Sequence, residues 1–233
     1  MNINKTLKLA ATSAALVSGL VLSAGALASG GDSGGGDCRV SEVRTSGTIY
    51  FVPSGNGPFP ILGWGNGTTN TVSQYDGLLE AAAEECVIVA AATTSSSGSG
   101  RQIADSVNAA RSRYRSIAND TICTSGHSQG GGGSINAGAR LGSAADCVIA
   151  LQPDTVFTSS VSSNSLSRST NLVCIFGSSD SIAPAYSNGP NCRRAATGTY
   201  VQETVSGGHT LPYSGTGGAL GREMRDYINR WMK

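Results

Sequence analysis

Gly126-His127-Ser128-Gln129-Gly130 sets a serine between two glycines, after the short apolar run 121–123 and before a further glycine cluster, 131–133. The spacing suits a chain that turns straight from a strand into a helix. Such a turn forces its central residue into a strained backbone conformation. Side chains two residues before and two after would collide, so glycine is needed at both places. The Ser128 hydroxyl would then stand above the sheet edge. The N–H groups of the following helix would point at any oxyanion formed there. The bland alternative is a solvated Gly/Ser loop, and the strand before and helix after favour the turn.

A serine hydroxyl attacks poorly unless a base lies within hydrogen-bond reach. The chain has two histidines. His127 adjoins the nucleophile, and its ring should point away from the hydroxyl and pack beside the site. His209, in the loop 207–209 after the last strand, is left as the base. It in turn needs an acid to hold its tautomer and stabilise the imidazolium. Asp146 precedes its strand and so falls at the wrong end. Asp154 and Asp180 each follow a strand. Asp180 is favoured because it follows the next strand, in a tight Gly/Ser loop, with the chain order Ser, Asp, His kept, and Asp154 stays open. The oxyanion donors expected are the backbone N–H of Gln129 and one from the glycine loop 63–67, with Trp64 preferred. The Trp64 ring would also wall an acyl pocket, unless it simply packs in the core.

Positioning these groups requires strands whose carboxyl ends share one edge. Strand patterns occur at 45–52, 61–62, 86–92, 121–123, 147–151, 172–176 and 200–205. Helical spacing is evident at 74–85, 103–114, from the elbow to about 140, and 220–231. Strands alternating with helices predict an α/β fold with a mostly parallel sheet covered on both faces. Sites in such sheets lie beyond the carboxyl ends of the strands. The loop 63–67, the elbow, Asp180 and His209 all follow strands and therefore converge. The connection 153–169 is polar and serine-rich, too short for a large lid.

Residues 1–28 read as a signal peptide: Lys5 and Lys8, an apolar run over 9–22, and Ala26-Leu27-Ala28 as a small-x-small cleavage site. Residues 29–37 read as a Gly/Ser linker, and 38–233 as one catalytic domain. Export would leave 14 Lys+Arg against 15 Asp+Glu, since both leader cations go. That near-neutral balance argues against nucleic acid or an anionic membrane as partner. The six cysteines all lie after the leader, which predicts disulfides in an oxidising compartment, with the pairing open. Their scatter shows no zinc-like spacing, so neither metal nor other cofactor is expected.

Gly126-His127-Ser128-Gln129-Gly130-Gly131-Gly132-Gly133, Asp180-Ser181-Ile182-Ala183-Pro184 and Gly207-Gly208-His209 together resemble bacterial cutinases and polyester (PET) hydrolases, the polyesterase-lipase-cutinase group of the α/β-hydrolases. The resemblance runs from about residue 48 to the end. It implies an α/β-hydrolase fold, with Ser128, Asp180 and His209 as triad, and with Trp64 and Gln129 at the oxyanion hole. It also implies that Ile182 lines the acyl cleft and that His127 lies at its floor or rim. The chain departs from the family where Pro153 stands for a tryptophan, and where Gly177 and Leu211 stand for cysteines that some members carry. The resulting expectation is a secreted monomeric serine esterase that opens an uncovered cleft to polyesters or short-to-medium acyl esters. The competing expectations are a long-chain lipase and a non-catalytic polymer or glycan binder on the same fold.

Overall fold

The computed structural model describes residues 38–233. The expected signal peptide and linker lie outside the described residues. The chain begins with β1 (Val40–Arg44), β2 (Thr48–Pro53) and β3 (Phe59–Gly65). A 3-10 turn, Val72–Tyr75, then leads into α1 (Asp76–Glu84). From there follow β4 (Ile88–Ala92), α2 (Arg101–Arg113), β5 (Ala118–His127), α3 (Gln129–Leu141), β6 (Cys147–Leu151), β7 (Asn171–Gly177), α4 (Ala185–Ala195), β8 (Tyr200–Val205) and α5 (Gly218–Trp231), strand and helix alternating except between β6 and β7.

The strands form one eight-stranded sheet in the order β1-β2-β4-β3-β5-β6-β7-β8. β2 runs antiparallel to both β1 and β4, and every other pairing is parallel. This is the mostly parallel α/β sheet expected. Strands buried on both faces are continuously apolar, and alternate residues choose the face. Leu62, Val89, Cys123 and Ile175 pack with Leu78 and Leu79 of α1 and Leu220, Met224, Tyr227 and Ile228 of α5. Ile61, Ile88 and Ile122 face Val107 and Ala110 of α2 on the other side. Val148, Leu172 and Phe176 meet Ile135 of α3 and Cys192 and Ala195 of α4. Each large side chain so buried contributes on the order of 1.5–3 kcal/mol relative to exposure.

Two elements differ from expectation. β1 is a half-exposed edge strand whose residues do not alternate. α4 carries Pro190 inside it, and Gly189-Pro190 conceals its helical character. The glycine loop at 63–67 is also largely strand. Gly65 lacks a side chain because α2 packs there: a Cβ would stand 2.4 Å from Ile103 Cδ1.

Three disulfides join Cys38 to Cys86, Cys123 to Cys147 and Cys174 to Cys192. The second links register partners on β5 and β6. Such bridges are compatible with a secreted protein. Among the described residues, no helix is long and apolar enough to cross a membrane.

Candidate active site

β5 and α3 meet at Ser128, which sits at φ 56° and ψ −119°. A non-glycine residue there costs on the order of 1–3 kcal/mol. A Cβ on Gly126 would lie 2.3 Å from the Gly130 carbonyl oxygen, and one on Gly130 would lie 2.0 Å from that of Gly65. Both expected glycines are therefore sterically required. The turn is pinned on each side. The Ser128 N–H donates to Leu151 O at 3.1 Å, and Ser128 O accepts from the Gly132 and Asp154 amides. Ser128 is 9% exposed.

His209, in the loop after β8, donates from Nδ1 to Asp180 Oδ2 at 2.8 Å. Asp180 Oδ1 accepts from the amides of Ile182 (2.8 Å) and Ala183 (3.0 Å). Burial works to raise the Asp180 carboxyl, but the bonds from His209 and the two amides outweigh it and hold it below its ordinary value. An ionised Asp180 can only accept, so His209 carries its proton on Nδ1 and leaves Nε2 as a base. Ser128, Asp180 and His209 follow the carboxyl ends of β5, β7 and β8 in the parallel part of the sheet, and so share one sheet edge. Ser128 Oγ makes no hydrogen bond to a described group in this resting state. Such contacts are often long without substrate and tighten when it binds.

Asp154 is otherwise engaged. Its Oδ1 caps the amides of Val156 and Phe157, and Oδ2 accepts from Thr158 Oγ at 2.6 Å. Asp146 accepts from the Ile122 amide at the far end of β5. Asp180 alone of the three meets the histidine.

Trp64 is a correction. It lies within β3, paired to Ala91 on one side and Ser125 on the other, so its amide belongs to the sheet. Its ring is fully buried against Tyr75, and its Nε1 donates to Asn66 Oδ1. It can serve neither as oxyanion donor nor as a pocket wall. Further along, the Gly67 amide donates to Tyr75 Oη at 3.0 Å. Thr68 is the first exposed residue after β3, and its amide bonds no described group. Gln129 occupies the first position of α3, where an N–H has no intrahelical acceptor. Its side chain accepts from the Ser97 amide, which anchors the loop after β4.

His127 is fully buried and so lines neither the floor nor the rim of a cleft. Its ring lies 4.6 Å from that of His209, and its Nδ1 lies 3.0 Å from Tyr75 Oη. Burial, then the neighbouring His209, pushes its pKa down to about 3. Ile182 is 58% exposed, and Val156, Phe157 and Tyr186 are also exposed. The segment bearing Val156 and Phe157 is tied to α4 through Thr155, whose amide donates to Asn188 Oδ1 at 2.8 Å. These four exposed apolar residues are carried by the loops after β6 and β7 and by the start of α4. A hollow of about 470 Å³ lined by Arg111, Arg115 and Asp120 opens instead at the amino end of β5, the opposite edge.

No family model and no curated protein matches the chain. Tyr75 carried no signal in the sequence that marked it as a neighbour of the site. Its place follows from contacts between distant segments, Gly67 and His127.

Proposed function

We propose that the chain is a serine carboxylic-ester hydrolase of α/β-hydrolase type, working through an acyl-enzyme. The observation that carries the reading is the Nδ1–Oδ2 bond of His209 to Asp180 on the same sheet edge as a strained, glycine-flanked Ser128. His209 Nε2 takes the Ser128 proton as Oγ attacks the ester carbonyl. The Gln129 amide holds the oxyanion, joined by that of Thr68 in the place expected of Trp64. The imidazolium then protonates the leaving alcohol. Water, activated by the same base, releases the acid and restores Ser128. No cofactor is needed for these steps.

Exposed Val156, Phe157, Ile182 and Tyr186 suit an apolar acyl group or polymer segment. The connection 152–170 contains no helix or strand that could close over it. An open cleft of this kind favours polyesters and short-to-medium acyl esters over long glycerides. Six paired cysteines support export.

The test is hydrolysis of p-nitrophenyl esters from acetyl to palmitoyl, with Ser128→Ala as control and an organophosphonate as serine probe. Short-chain turnover and stoichiometric labelling, both lost in Ser128→Ala, are expected. A wild-type protein that neither turns over nor reacts with the phosphonate would sink the proposal and favour a binding protein.

A further inference from the structure

Gln152 follows β6 at φ 42°, a conformation side-chain-bearing residues rarely adopt, and it is fully buried. Its amide donates to Ile175 O at 2.7 Å. Its Nε2 donates to Gly208 O at 2.8 Å, one residue before His209. Gly177 leaves room for this reach, since a Cβ there would stand 2.6 Å from Gln152 Nε2. With Nε2 committed to Gly208, Oε1 must face the other way, and it is buried without a partner.

His127 Nε2 is likewise buried without a partner. Its tautomer follows from the network around Tyr75. Tyr75 Oη accepts from the Gly67 amide and from Asn70 Nδ2, so its own proton goes to His127 Nδ1. The remaining imidazole proton is therefore on Nε2. Tyr213 Oη, 3.5 Å from Nδ1, adds a second polar neighbour. The Gln152 side chain and the His209 backbone both lie within polar reach of the His127 ring. A buried donor on His127 and a buried acceptor on Gln152 thus both lie beside the His209 loop.

We infer that Gln152 and His127 are positioning residues for His209: Gln152 tethers its loop through Gly208, and His127, as the neutral Nε2–H tautomer, backs its ring. The inference rests on the ester-hydrolase reading. Asp180 holds His209 at one atom only, and the ring could still swing about that bond. The tether and the backing ring remove that freedom and hold the imidazole in one orientation. Neither residue reaches the substrate, so their contribution falls on kcat rather than KM.

The experiment uses protein with its disulfides intact and 15N-labelled histidine, which gives spectra of two imidazoles only. In the wild type, His127 should show a neutral Nε2–H ring, and His209 a far-downfield Nδ1 proton bonded to Asp180. Gln152→Met keeps length and apolar packing but loses the tether. It should lower kcat roughly tenfold, the worth of about one net hydrogen bond. KM should stay within about twofold, while the His209 Nδ1 proton broadens or moves. Unchanged kcat and an unchanged Nδ1 proton in Gln152→Met would overturn the inference, as would lost stability without a change in that proton. An Nδ1–H tautomer at His127 in the wild type would overturn it even if Gln152→Met failed to fold. Absence of phosphonate labelling in the wild type would instead defeat the hydrolase reading, and the imidazole spectra would still decide this one.

Discussion

Acidification from pH 7.5 to pH 5 should cost the fold about 2 kcal/mol through His127 alone. The perturbation is protonation of an imidazole that the folded chain keeps neutral. Burial and the adjacent His209 lower its pKa from the model-peptide value of 6.5 to about 3. Between those values the unfolded chain binds the proton and the folded chain does not. Stability therefore rises with pH across that window and is lost as pH falls through 6.5. At pH 5 the unfolded state is favoured by a factor of roughly 30, against almost none at pH 7.5, which is the figure above. His127→Gln removes the titrating ring. Urea unfolding of both proteins at the two pH values isolates its share, because Asp180 and the raised carboxyls of Asp76, Glu84 and Glu223 titrate in both. The wild type should lose about 2 kcal/mol more than His127→Gln, a differential midpoint shift of roughly 0.7–1 M urea. Parallel losses in the two proteins would refute the reasoning.

Asp180→Asn should lower kcat roughly ten-thousand-fold with the fold retained, because the amide no longer fixes the tautomer of His209. Asp154→Asn should leave kcat within a few-fold and cost about 1 kcal/mol in urea unfolding, the scale of a lost turn cap. Gly130→Ala should destabilise by more than about 3 kcal/mol, since its Cβ would meet the Gly65 carbonyl and strand backbone cannot yield cheaply; a wild-type melting curve would contradict this. Replacing Cys174 and Cys192 together by serine should cost about 3 kcal/mol in thermal or urea unfolding, from a closed loop with a sequence separation of 18.

Much of the site could be read from the chain because its constraints are local. A strand-to-helix turn admits only glycine at positions 126 and 130, whatever the surrounding fold. The apolar runs at β4, β6 and β7 match their strands closely, since strands buried in a parallel sheet need continuous apolar residues. Carboxyl ends of parallel strands share an edge, and that alone brought Ser128, Asp180 and His209 into one neighbourhood. Other features depend on partners far along the chain. Gly63 and Gly65 look like a loop, and only α2 pressed against β3 shows why a strand lacks side chains there. That shift moved Trp64 into the sheet and left Thr68 as the free amide. Asp154 and Asp180 are equivalent by position, and only the loop geometry commits the first to amide caps and the second to His209. α4 tolerates Pro190 inside a helix that Cys192 anchors to β7, a compensation no local rule reveals. The pairing of Cys123 with Cys147 follows from β5–β6 register, which no count of cysteines contains. Local sequence determined which residues could do chemistry. Long-range packing decided which of them face one another, because burial and hydrogen-bond partners are properties of the folded chain.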